Sequence, residues 1–172
     1  GASSNALLFD VLRLQHGYTY GAYSFFDCGK YANEFRATSS VQAAYTLEAM
    51  QLFKSCISTY GEQFTEQSLV KTKDAMFKEN AAAFEMPDAR LDLLSEMTVD
   101  GLPVDDLKRQ EQLRRHRIKK RMTLPEAKAC IRNWLDYDRM FFVVVGDAAS
   151  QLDRIRKSGL GEVKVVDLQE LR

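Results

Sequence analysis

The stretch from Leu12 to Ser24 reads Leu-Arg-Leu-Gln-His-Gly-Tyr-Thr-Tyr-Gly-Ala-Tyr-Ser, and its apolar period changes in the middle. Upstream, Leu7, Leu8, Val11 and Leu12 recur at helical spacing, behind Ser3, Ser4 and Asn5 as candidate N-caps. Gly17 suits the residue just past the helix, because it takes φ > 0 without steric cost. From Tyr18 the residues are aromatic and β-favouring, which predicts a strand over 18–26. Strict alternation puts Tyr18, Tyr20, Ala22 and Ser24 on one face and Thr19, Gly21, Tyr23 and Phe25 on the other. The chain must therefore turn from helix to strand about one glycine. Arg13, in the last helical turn, and Tyr20, early in the strand, flank that corner. A guanidinium and a phenol placed there are candidates to hold a carbonyl or an oxyanion. The plainer alternatives are an arginine that complements the helix dipole and a tyrosine that packs on the sheet.

The chain has 172 residues, enough for one domain with a sizeable core, and it is read as a single domain over 1–172. Lysine plus arginine equals aspartate plus glutamate at 24 each, so no global field favours nucleic acid or an anionic membrane. No apolar run is long enough to span a bilayer. Cys28, Cys56 and Cys130 are odd in number and scattered, neither a disulfide framework nor a CxxC metal pair. Cys56 and Cys130 fall on apolar helix stripes, where a thiol behaves as a small hydrophobe. That usage suits a reducing compartment.

In chain order, Asp27-Cys28-Gly29-Lys30 signals a turn, and residues 31–38 read as a second strand of an antiparallel hairpin. Ser39 and Ser40 are candidate caps for a helix whose stripe is Val41, Tyr45, Ala49, Leu52, Phe53, Cys56 and Tyr60, with Gly61 as its end. Thr65 is the next N-cap, with Phe64 and Leu69 as a hydrophobic staple. Val70, Met76 and Phe77 are expected to continue the buried face of that helix. Met86-Pro87 breaks the helix, and Leu91, Leu94 and Met97 mark another that stops near Gly101.

Thr123-Leu-Pro-Glu126 is a capping box, opening a helix expected to bury Ala127, Cys130, Ile131, Trp134 and Leu135. Residues 140–145, Met-Phe-Phe-Val-Val-Val, read as a central strand, and 162–168 as a final one. Between them, Gly146-Asp147 turns into a short helix that Gly159 ends. The run Arg-Arg-His-Arg-Ile-Lys-Lys-Arg at 114–121 is the strongest local charge feature. It reads first as a solvated helix end, and otherwise as a phosphate-contacting patch for nucleic acid or a contact surface for an acidic partner.

Arg13, Gly17, Tyr20, Gly21 and Ser24 resemble, residue by residue, a motif of the second, non-zinc domain of the M16 metallopeptidases (pitrilysin, insulinase, mitochondrial processing peptidase). That motif is an Arg and, seven residues on, a Tyr, across a helix–Gly–strand corner ending in Tyr-Gly-x-x-Ser. The helix-rich middle and the closing order, a Thr-initiated helix, Phe-Val-Val-Val-Gly-Asp, a short helix and a last strand, extend the resemblance to nearly the whole chain. The resemblance implies an α+β fold, a mostly antiparallel sheet with helices packed on one face. It also implies strands ahead of the first helix that this sequence lacks. The expectation is that the chain is a piece of a longer protein, whose other parts supply them.

The implied function is that of the non-catalytic half of a zinc peptidase. Arg13 and Tyr20 would bind the substrate backbone and stabilise the oxyanion, opposite a domain that holds zinc, in cis or as a separate subunit. Zinc itself is not expected in this chain. The active domain of the family uses an inverted His-x-x-Glu-His helix and a further Glu, whereas His16 and His116 stand a hundred residues apart, neither in that pattern. No activity is expected of the chain alone. No Ser/His/Asp or Cys/His set, dinucleotide fingerprint or Walker A sequence competes with this reading. The alternative from another class is a non-enzymatic binding or scaffold module acting through residues 114–121.

Overall fold

The computed structural model describes residues 6–28, 33–83, 87–103, 105, 109 and 112–166. Helix α1 opens as one α-turn (Leu7–Phe9) and continues as π-helix (Asp10–Gln15). Ser3, Ser4 and Asn5 lie outside the described residues, and Ala6 stands at the N-cap without a side-chain bond. Strands β1 (Thr19–Cys28) and β2 (Asn33–Val41) pair antiparallel as the expected hairpin. A 3₁₀ turn (Ala43–Tyr45) leads into α2 (Thr46–Gln63), followed by α3 (Glu66–Ala83) and α4 (Pro87–Asp100). A π-helical α5 (Arg114–Arg121), α6 (Leu124–Trp134), a 3₁₀ turn (Tyr137–Arg139) and α7 (Ala148–Lys157) complete the order. The class is α+β with an antiparallel sheet.

The chain forms two compact units, Gly1–Thr59 with Leu135–Arg172, and Tyr60–Trp134. In the first, Leu8, Leu12, Ala22, Ala49, Phe53 and Cys56 form the core, so α1, β1 and α2 share one apolar centre. Leu12 is fully buried, at 0% exposure. Burial pushes the Cys56 thiol pKa up, which keeps it protonated and inert. Arg154 on α7 donates to Glu48 on α2 at 2.6 Å and to the Ala44 carbonyl at 3.2 Å.

In the second unit the local signals hold. Thr65 Oγ1 accepts from the Ser68 N–H at 3.2 Å, and the staple residues Phe64 and Leu69 are both buried, with Ala127. Helix α4 starts on Pro87, where a missing N–H costs nothing. It stops at Gly101, φ +66°, with the Leu102 N–H reaching back to the Met97 carbonyl at 2.9 Å. At the capping box, Glu126 Oε2 accepts from the Thr123 N–H at 2.8 Å and from its hydroxyl at 2.9 Å. Those bonds, with Lys73 nearby, hold the Glu126 carboxyl below its ordinary 4.5.

Several expectations are corrected. Ser39 and Ser40 cap no helix; they lie in β2, and α2 starts only at Thr46. Gly61 does not end α2 but sits inside it, where a Cβ would stand 3.3 Å from Ile131 Cγ2. Val70 and Met76 are exposed on α3, as are Cys130 and Trp134 on α6, because their neighbours cover only one narrow stripe of each helix. Residues 140–145 and 162–166 belong to no strand. Phe141 is 85% and Val145 95% exposed, with only Phe142 packed on the core. β-Favouring composition makes a strand only where a neighbour supplies the ladder. Residues 167 and 168 lie outside the described residues.

Replacing Leu12 by Ala is expected to cost about 2–5 kcal/mol of stability, read from urea unfolding, because the side chain is wholly enclosed. Glu126→Gln tests the capping box by pH. A lowered carboxyl pKa stabilises the fold above its ordinary value, and the contribution fades as pH falls through the lowered one. Thermal melts of Glu126→Gln should therefore fall less than wild type between about pH 6 and pH 3.

Candidate functional site

The corner is built from α1, one glycine and the start of β1. In the π-helical part of α1 each N–H reaches five residues back, as His16 N does to the Val11 carbonyl at 3.2 Å. Gly17 then takes φ +67°, as the sequence requires. Its N–H bonds the Arg13 carbonyl at 3.0 Å, and the Tyr18 N–H bonds the Leu12 carbonyl at 2.9 Å. This satisfies the last carbonyls of the helix in a widened form of the usual glycine cap. Gln42, just past β2, braces the bend from the other side. Its backbone N–H donates to the Tyr18 carbonyl at 3.0 Å and its side chain to the Gly17 carbonyl at 3.3 Å.

The strand alternation expected for β1 does not hold. Thr19 pairs with Val41 and Ala22 with Ser39, so Tyr20 and Gly21 together stand opposite Ser40. This is a β-bulge, and one extra residue exchanges the faces. Thr19 and Ala22 are both buried, and Tyr20 leaves the face of Ala22 for the solvent. The bulge is held by hydroxyls. Thr19 Oγ1 accepts from the Gly21 N–H at 3.1 Å and donates to the Ser40 carbonyl at 2.6 Å. Ser39 Oγ lies 2.9 Å from both Thr19 Oγ1 and the Gly21 carbonyl. Sequence reasoning missed Thr19 and Ser39 as positioning residues. The available signal was Gly21, a lone glycine inside a strand pattern.

Arg13 and Tyr20 meet across the bend, at the backbone. Arg13 Nη1 donates to the Tyr20 carbonyl at 2.6 Å, and the guanidinium lies 5.1 Å from the centre of the Phe9 ring. The Tyr20 side chain is 91% exposed. Among the described residues its phenol has no hydrogen-bond partner, and four of the five guanidinium N–H donors of Arg13 have none. Beside the corner, the rings of His16, Tyr18 and Tyr45 form a ladder with centroid spacings of 5.1 and 4.4 Å. Chemically, the corner offers a fixed positive charge and a free phenolic donor to an anionic or carbonyl oxygen.

Among the described residues, no three His, Cys, Asp or Glu side chains come together in a group able to hold a metal ion. No described helix is long and apolar enough to cross a membrane.

No protein-family model and no curated relative matches the chain. Among solved structures, it is similar to the crystal structure of a peptidase M16 inactive domain from Pseudomonas fluorescens. The TM-score is 0.61 at 22% identity, over 79% of this chain and 31% of that one. The chain has an M16-like fold. It spans about a third of the length of that neighbour.

The geometry separates structural from exposed groups. Thr19→Val is expected to destabilise the protein by about 1–3 kcal/mol, since it takes the hydroxyl partner from the Gly21 N–H and the Ser40 carbonyl. Tyr20→Phe should stay within about 0.5 kcal/mol of wild type in the same urea titration.

Proposed function

We propose that this chain is the non-catalytic half of a zinc peptidase, closing a peptide-binding cavity opposite a zinc-bearing domain. Arg13 binds the substrate backbone, and the Tyr20 phenol donates to the carbonyl oxygen as it becomes an oxyanion. Support comes from the corner itself, a guanidinium fixed to the backbone of the residue whose phenol is left free, in a chain with an M16-like fold. The metal ligands and the water-activating base belong to the other domain, and zinc there supplies the Lewis acid. This chain supplies position and charge. A phenol aimed at developing negative charge is worth roughly 3 kcal/mol, because it strengthens in the transition state.

The test is peptide cleavage by the chain combined with its zinc-bearing partner domain. Tyr20→Phe should lower kcat by about 10²–10³-fold. Arg13→Ala should raise KM as well. Arg114→Ala/Arg115→Ala should leave both near wild type. Full kcat in Tyr20→Phe, or a loss confined to the Arg114/Arg115 variant, would overturn the proposal.

A further inference from the structure

The second unit segregates its charge along the sequence. Residues 60–111 hold twelve acids against six lysines and arginines, and residues 112–134 hold eight bases against one acid. The two concentrations are helical. On α4 an acid occupies every fourth position, Asp88, Asp92, Glu96 and Asp100, and the helix has one cation, Arg90, which is already engaged. On α5 every residue but His116 and Ile118 is lysine or arginine.

Among the described residues, Arg117, Lys120 and Arg121 are exposed and meet no carboxylate at ion-pair distance. Asp88 and Asp92 are likewise exposed and meet no cation. Arg117 and Arg121 line a shallow hollow with Met122 and Glu126. Leu91 and Leu94 are 64% and 58% exposed, and the spacing of Asp88, Leu91 and Asp92 puts the two carboxylates and a leucine on one side of α4.

We infer that α5 of one copy docks on α4 of a second copy, and the reverse, in a twofold dimer. A twofold contact brings each basic helix to an acidic one, so one complementary pair is used twice. Arginine and lysine stems lie along apolar surface while their charged ends reach outward, which fits them over Leu91 and Leu94 beside Asp88 and Asp92. A nucleic acid is disfavoured, because the net acidity of residues 60–111 in the same unit repels phosphate and α5 has no Phe, Tyr or Trp for bases to stack on. A membrane surface is disfavoured, because one isoleucine is no apolar face.

The test is sedimentation equilibrium of the whole chain at low and high salt. The expected result is a weak dimer, with Kd in the range of about 10–100 μM, that loosens at least tenfold as salt screens the contacts. Two charge reversals follow, Arg117→Glu/Arg121→Glu and Asp88→Lys/Asp92→Lys, each first shown by circular dichroism to fold. Each alone should be monomeric, and an equimolar mixture should associate, since positions 88, 92, 117 and 121 are then all acidic in one copy and all basic in the other. A wild type that stays monomeric at every salt concentration would overturn the inference. So would two folded variants that fail to associate when mixed. Nucleic acid that co-purifies with wild type and is lost in Arg117→Glu/Arg121→Glu would replace the dimer with a nucleic-acid partner.

Discussion

One buried hydroxyl decides what the first strand shows to solvent. Thr19 Oγ1 takes the N–H of Gly21 and gives its proton to the Ser40 carbonyl, and Ser39 closes the cluster. Without these bonds an inserted residue would leave backbone groups unpaired next to the core, at a cost no local propensity offsets. With them, β1 carries one residue more than its partner, and Tyr20 faces water while Ala22 stays under the sheet. The bulge also fixes the carbonyl of Tyr20, which is what Arg13 grips. The exposed phenol and the anchored guanidinium are consequences of one arrangement of hydroxyls.

What the sequence made legible was local. Gly17, Gly101 and Gly159 mark helix ends in the sequence, and each has φ near +70°. Thr65 caps α3, and Thr123 with Glu126 opens α6, each through bonds spanning three residues. Asp147 caps α7 by accepting from the Ala149 N–H at 3.0 Å. In every case the partner lies within one helical turn, so the residue types carry the geometry with them. The Arg13–Tyr20 contact is less local, seven residues apart across one glycine, and the face that Tyr20 presents depends on Thr19 and Ser39.

What the sequence hid was non-local. Ser39 has the sequence context of a cap, serine before an apolar stripe, but its hydroxyl is spent twenty residues away on Thr19. Gly61 looked like a stop, yet a close side chain from α6 gives a glycine a reason to sit mid-helix. Residues 140–145 have the composition of a buried strand and no ladder to join, since the described sheet ends at β1 and β2. Val70 and Met76 follow the same rule: helical period marks a face, and only a neighbour buries it.

The anchoring of Arg13 bears on the chemistry proposed for the corner. A guanidinium bonded to the phenol itself would hold the ring in place and occupy the very group that the proposal assigns to substrate. Bonded to the backbone carbonyl of the same residue, it brings its charge near and leaves the phenol uncommitted. In the proposed reaction the positive charge would favour negative charge developing on a nearby oxygen without using up the phenolic donor. The same bond takes one of five N–H groups, so the guanidinium keeps donors for a peptide backbone while its position is fixed by Phe9 beneath it. An arginine held this way loses little further freedom on binding, and that pre-organisation is what an exposed corner most needs.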